Sequence, residues 1–134
     1  MKIISYNING IRAAIKKGLV NWLQTCSPDI VCLQELKANV DQFDVSVFEK
    51  LGYSCFWHSA KKKGYSGVAI LSKIKPQNIV YGCGVNEFDD EGRIIRADFN
   101  SISVFSCYFP SGSSGEIRQA FKMNFLEFFY TFIK

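Results

Sequence analysis

Ile30-Val31-Cys32-Leu33 is an unbroken apolar run closed by Gln34-Glu35. A strand with one face in water alternates apolar and polar residues. This run does not, so it reads as a strand buried on both faces, the pattern of a parallel sheet. A second β-branched run, Lys2 to Tyr6, leads into the polar turn Asn7-Ile8-Asn9-Gly10. Between the two, Ile11, Ile15, Leu19, Trp22 and Leu23 recur at helical spacing. Gly18 divides that helix into two short ones, and Pro28 ends it. Strand, helix, strand makes a βαβ unit with both strands ending at one edge. Sites in such proteins gather at the carboxyl ends of strands. Asn7, Asn9 and Glu35 therefore become candidates together.

The pattern continues for the rest of the chain. Residues 43–51 read as a helix closed by Gly52, followed by strands over 53–57, 68–71 and 79–81. Residues 86–92 read as an acidic loop. Two strands, 94–99 and 102–109, flank the turn Asn100-Ser101 and form a hairpin. A polar serine/glycine loop at 111–115 precedes a helix running from Glu116 onward. In that helix Ile117, Phe121, Phe125, Phe128 and Phe132 make one apolar face, and Leu126, Phe129 and Ile133 add a second. Such a helix expects protein on more than one side. The chain is read as one incomplete domain, residues 1–134, an N-terminal half.

Composition narrows the setting. The net charge of +4 suits an anionic partner without identifying one. The five cysteines are odd in number and lack CxxC spacing, so they read as reduced thiols of a cytoplasmic protein. No stretch has the length of a membrane span or the build of a signal peptide.

Individual residues each carry two readings. Asn7 and Asn9 suit an Asx-turn, or amides that hold a phosphate or a metal-bound water. Glu35 suits an ion pair, or a Mg²⁺ ligand, because Mg²⁺ takes few carboxylates and completes its shell with water and phosphate. Lys61 to Tyr65 suit a solvated loop, or a tract along a phosphate backbone. Tyr108 suits packing, or a phenol that donates to or attacks phosphorus. His58, the sole histidine, has no ligand set near it in sequence and reads as structural.

Taken in order, Ser5-Tyr6-Asn7-Ile8-Asn9-Gly10-Ile11-Arg12-Ala13, Leu33-Gln34-Glu35-Leu36-Lys37, Gly64-Tyr65-Ser66-Gly67-Val68-Ala69, Glu91-Gly92-Arg93-Ile94-Ile95 and Tyr108-Phe109-Pro110 carry a resemblance. The chain resembles the exodeoxyribonuclease III type of apurinic/apyrimidinic (AP) endonucleases, of the endonuclease/exonuclease/phosphatase superfamily. The resemblance implies an α+β fold, half of a DNase I-like four-layer α/β sandwich, with mixed β-sheet and flanking helices. It implies hydrolysis of a DNA phosphodiester 5′ to an abasic site, or at 3′ ends, with Mg²⁺ or Mn²⁺. It places Glu35 and Asn9 at the metal, Asn7 in the first active-site motif as a catalytic residue, and Tyr108 at the scissile phosphate. Arg12, Ala13, Lys17, Gly64, Tyr65 and Ser111 fall at DNA-contacting positions. Ser111 stands where the family commonly has Asn, and Asn9 where it often has an acid.

The family's Gly-Asp-x-Asn and Asp-His motifs do not occur in these residues. They supply the groups that activate water, so the resemblance implies a chain without them is inactive alone. The second sheet is expected to be missing with them, and a partner half to supply both. Two other readings stand beside this one: a non-catalytic nucleic-acid-binding or structural piece, and a superfamily phosphodiesterase for a sugar, inositol or lipid substrate.

Overall fold

The structure, a computed structural model, describes residues 1–134. Strand β1 (Ile3–Asn7) pairs in parallel with β2 (Ile30–Gln34), Ile3 opposite Ile30 and Asn7 opposite Gln34. The register is pinned where both strands begin. Lys2 N–H donates to Asp29 Oδ2 at 2.6 Å, and Asp29 N–H donates back to the Lys2 carbonyl at 2.9 Å. The connection is helical, as its periodicity predicts, and is split by Gly18 at φ +102° into α1 (Ile11–Lys16) and α2 (Leu19–Cys26). Only glycine adopts that conformation without strain. β4 (Val68–Ser72) joins β2 antiparallel, and β3 (Ser54–His58) joins β4, giving a sheet of order β1-β2-β4-β3.

Every residue of β2 and β4 is buried, and their alternation shows why. Val31, Leu33, Ala69 and Leu71 face the helices, against Ile11, Leu23, Leu36 and Phe48. Ile30, Cys32, Val68 and Ile70 face the other way, against Ile95, Ala97 and Phe99. An apolar run with no polar break thus serves two cores at once. Truncating one of these side chains to alanine costs about 2–5 kcal/mol in comparable cores.

The residues behind that second core overturn one expectation. A second sheet is present. It is antiparallel, ordered β5-β6-β7, from Asn78–Tyr81, Ile94–Phe99 and Ile102–Cys107. The hairpin's alternating residues Ile95, Ala97 and Phe99 need an apolar surface, and the second face of β2 and β4 provides it. Helix α5 (Glu116–Phe132) closes the far side through Phe125, fully buried against Phe88 and Ile94. Helices, sheet, sheet and helix already make four layers within these residues.

Other differences are local. β1 is apolar and β-branched, yet Ile3 and Tyr6 are 43% and 46% exposed, because β1 is an edge strand covered by β2 on one side only. The helix expected over 43–51 shrinks to α3 (Ser46–Glu49). Asp44 Oδ1 takes the Ser46 N–H at 3.0 Å and its hydroxyl at 2.6 Å, which fixes the start late. The acidic loop holds a single turn, α4 (Asn86–Asp89), that carries Phe88 into the core. In α5 the buried stripe begins at Phe121, and Ile117 is 85% exposed. Phe129, from the second stripe, joins the first by packing on Phe109, ring centroids 5.0 Å apart.

All five cysteines are free thiols. Burial pushes Cys32 and Cys83 up to about 11 and Cys55 and Cys107 up to about 12, so these four are poor nucleophiles at neutral pH. No helix is long and apolar enough to cross a membrane.

Candidate active site

Strand register gathers the candidates at one end of the sandwich. β1 and β2 run in parallel and finish at Asn7 and Gln34; β4 starts opposite Gln34, at Val68. β7 finishes at Cys107 opposite Ile94, and Tyr108 N–H then donates to the Arg93 carbonyl at 2.9 Å. The two sheets are tied at this end by buried polar groups. Gln34 Nε2 donates to Ser106 Oγ at 3.1 Å, and Ser106 Oγ donates to the Leu33 carbonyl at 2.9 Å. Neither hydroxyl nor amide is left unpaired in the core, where that would be costly.

The segment after β2 is clamped from both sides. Gly10 N–H donates to the Glu35 carbonyl at 2.7 Å, and Lys37 N–H donates to the Ser66 carbonyl at 2.9 Å. Asn9, Glu35 and Lys37 all hold positive φ, at +47°, +56° and +51°. Non-glycine residues seldom do so, and such strain concentrates at functional sites. Their side chains converge. Asn7 Oδ1 accepts the Asn9 N–H at 3.0 Å, which is an Asx-turn. The same side chain donates through Nδ2 to Glu35 Oε1 at 2.8 Å. The two readings of Asn7 are therefore not rivals: the turn orients the amide that holds the carboxylate. Lys37 Nζ donates to Asn9 Oδ1 at 2.6 Å and lies 3.2 Å from Glu35 Oε2.

This donor set fits a hard divalent cation. It offers one carboxylate and neutral amide oxygen, with no group of three or more His, Cys, Asp or Glu residues anywhere in the chain. One carboxylate beside amide oxygen is a donor set that Mg²⁺ accepts, since it takes one or two carboxylates and fills its shell with water and phosphate oxygens. The Lys37 ammonium already rests as a cation between Glu35 and Asn9.

Two open cavities flank the cluster. Asn7, Asn9, Ala13 and Lys17 line one of about 680 Å³ beside β1. Gly10, Arg12, Ala13, Lys16, Lys37 and Gly64 line a basic groove of about 440 Å³. Ser111 stands apart, on an exposed loop, sharing a hydrogen bond with Ser113 at 3.1 Å.

The profile of the Endonuclease/Exonuclease/phosphatase family matches residues 4–129. The chain belongs to this family. Among its relatives, an exodeoxyribonuclease of Bacillus subtilis is 39% identical over 134 residues, 99% of this chain and 52% of that protein. The solved structure of an AP endonuclease from Archaeoglobus fulgidus superposes with a TM-score of 0.87 at 32% identity, covering 99% of this chain and 51% of that one. A 3′ phosphatase from Neisseria, bound to a product DNA hairpin, superposes equally well, TM-score 0.87 at 29% identity, again over 99% of this chain and 51% of its own. The chain spans about half the length of each. The family is one of metal-dependent nucleases and phosphatases.

Within this family fold, electrostatics separates the candidate groups. Partial burial pushes the Glu35 carboxyl up, but hydrogen bonds from Asn7, Tyr108 and Lys37 outweigh it and hold the group below its ordinary value. Burial and the neighbouring Glu35 carboxylate push Tyr108 up to about 12, so its phenol stays protonated at neutral pH. Tyr65 belongs to a different cluster. Arg93, only 2% exposed, donates to Glu91 Oε2 at 2.6 Å, to the Tyr108 carbonyl at 2.8 Å and to the Tyr65 hydroxyl at 3.2 Å. Arg118 of α5 reaches the same Glu91 at 2.9 Å and the same Tyr65 hydroxyl at 3.1 Å. Gly92 must be glycine here: a Cβ would stand 2.7 Å from the His58 carbonyl oxygen.

Sequence reasoning gave no role to Lys37, Gln34, Glu91 or Arg118. Lys37 and Gln34 sit in the quoted motif around Glu35, and that adjacency was the available signal. Arg118 had none, since its partner lies 27 residues away.

Proposed function

We propose that this chain forms the metal- and phosphate-holding wall of a DNA repair nuclease of the AP endonuclease and 3′-exonuclease type. The observation that carries the reading is the Glu35 carboxylate, held by Asn7, placed beside the Tyr108 phenol and paired with Lys37, which lines a basic groove. Glu35 and the Asn9 amide oxygen would hold Mg²⁺, or Mn²⁺ in its place. The bound ion would supply Lewis-acid neutralisation of charge on a phosphate oxygen.

The chain's own groups do the rest. Tyr108, kept protonated, donates a hydrogen bond to a phosphate oxygen and does not attack as phenolate. Asn7 fixes the carboxylate and offers a second donor edge to the phosphate. Arg12, Lys17, Gly64 and the Ala13 backbone line the approach of a duplex carrying an abasic site or a 3′ end. Tyr65 is placed by Arg93 and Arg118 to meet the backbone beyond it. Ser111 contributes from the exposed polar loop only as a short-reach donor. The free thiols suit the cytoplasm. Residues 1–134 form a single incomplete domain, and a partner half would supply the rest.

No group at this cluster is suited to take a proton from water. His58, the only imidazole, is half-buried; burial lowers its pKa, and its Nε2 has no partner. Strong incision therefore requires water-activating groups from outside these residues.

The test is an abasic duplex presented to the 134-residue chain with and without Mg²⁺. We expect binding that Mg²⁺ strengthens, loss of that Mg²⁺ effect in Glu35→Gln, and incision far slower than by the AP endonuclease of Archaeoglobus fulgidus. Incision at that relative's rate sinks the need for outside groups. Equal competition by an inositol or lipid phosphodiester sinks the DNA reading.

A further inference from the structure

The cation resting between Glu35 and Asn9 belongs to the chain itself. Lys37 Nζ is 2.6 Å from Asn9 Oδ1 and 3.2 Å from Glu35 Oε2. Those are the two oxygens offered to the metal in the reading above, and this inference rests on that reading. A divalent ion of Mg²⁺ type binds oxygen at about 2.0–2.1 Å. An ion on both oxygens and an ammonium on the same two would stand in direct contact, and like charges that close repel strongly. The remaining carboxylate oxygen, Glu35 Oε1, is engaged by Asn7 Nδ2 at 2.8 Å. The cluster therefore holds one cation at a time.

We infer that Lys37 is a built-in competitor of the divalent metal: its ammonium keeps the ligands arranged while the metal is away, and must swing out for the metal to bind. The backbone allows this without rearrangement. Lys37 N–H stays on the Ser66 carbonyl at 2.9 Å, and its carbonyl accepts from Arg12 Nη2 at 3.4 Å. Its side chain is 39% exposed and borders the groove lined by Gly10, Arg12, Lys16 and Gly64, which is where the released ammonium goes. The chain of methylenes lets the charge move by rotamer change alone, which for exposed side chains takes on the order of nanoseconds or less.

The consequence is opposite to that of a structural lysine. If Lys37 only braced the loop, removing it would loosen the ligands and weaken metal binding. If it competes, removing it tightens metal binding.

The experiment uses Mn²⁺ as probe, titrated into the 134-residue chain without DNA, with free Mn²⁺ read by electron paramagnetic resonance. Lys37→Met should bind Mn²⁺ about five- to tenfold more tightly than the unaltered chain, a coupling of ordinary size. Lys37→Gln should do the same, and Lys37→Arg, which keeps a cation, should not. Unchanged or weaker binding in both neutral variants overturns the inference. Glu35→Gln separates this failure from failure of the site. If Glu35→Gln weakens Mn²⁺ binding while the Lys37 variants do nothing, only the competition is wrong. If Glu35→Gln has no effect either, the metal site is wrong, and the inference with it.

Discussion

Two cations stand at the same end of the sandwich, each against a glutamate, and they are held in opposite ways. Arg93 is 2% exposed and spends its donors on Glu91, the Tyr108 carbonyl and the Tyr65 hydroxyl. Lys37 is 39% exposed and touches Glu35 and Asn9 from the solvent side. A planar guanidinium with fixed donor directions ties several strand ends into one geometry. A flexible ammonium makes point contacts it can give up. The difference separates a charge built in as scaffold from one the fold leaves exposed: one ties Tyr65 and the Tyr108 backbone to Glu91, and the other rests on the two side chains proposed as metal ligands.

The sharpest way to break the comparison is to remove the scaffold cation. Arg93→Met deletes the inner partner of Glu91 and leaves the Tyr108 carbonyl and Tyr65 hydroxyl short of donors. Breaking a buried charge pair from one side typically costs about 3–5 kcal/mol. Urea unfolding of the variant should show a loss of that order. A loss below about 1 kcal/mol would mean Arg118 alone sustains the cluster.

A smaller effect comes from acid. Burial pushes Glu91 up, and hydrogen bonds from Arg118 and Arg93, with their charges, pull it below its ordinary value of 4.5. A carboxyl depressed in the folded state stabilises fully above that ordinary value and loses its contribution as pH falls through the lowered one. Stability should therefore decline on acidification below about pH 4.5, with Glu91 a principal contributor. Protonation keeps a hydrogen-bonding oxygen in place, so the loss is less than for Arg93→Met. Glu91→Gln should be destabilised at neutral pH and flatter in its acid response. An acid profile identical to that of the unaltered chain would remove Glu91 from the account.

The contrast also explains what was legible in the sequence. The strands of the first sheet were, because Ile30 to Leu33 and Val68 to Leu71 are apolar without a break and only a doubly covered strand is. Asn7 and Glu35 were legible as strand-end neighbours once a parallel βαβ unit was recognised. The second sheet was underestimated. The hairpin over 94–107 was plain, but its packing partner was the hidden face of β2, and a one-dimensional pattern cannot say which of two faces meets which neighbour. Ile117 lies on the predicted face of α5 but one turn short of the core, since periodicity gives a stripe and not where the stripe begins to touch. The Glu91, Arg93 and Arg118 cluster joins residues across 27 positions, and no local spacing announces it. Lys37 was visible as a residue and invisible as a role, because its meaning depends on the left-handed turns at Asn9 and Glu35 that aim both oxygens at it.

The smallest effect is the most discriminating. Lys37→Met should leave stability almost unchanged, within about 1 kcal/mol, because half-exposed ion pairs contribute little. The methionine keeps most of the lysine's apolar stem, and the strained backbone at φ +51° is retained by the same hydrogen bonds to Ser66 and from Arg12. Thermal unfolding of Lys37→Met beside Arg93→Met reads the comparison directly. A large loss for Lys37→Met would make it scaffold as well and collapse the distinction. Near-identity with the unaltered chain leaves Lys37 free to exchange, since a group that contributes little to holding the fold can leave its oxygens without disturbing the strands that present them.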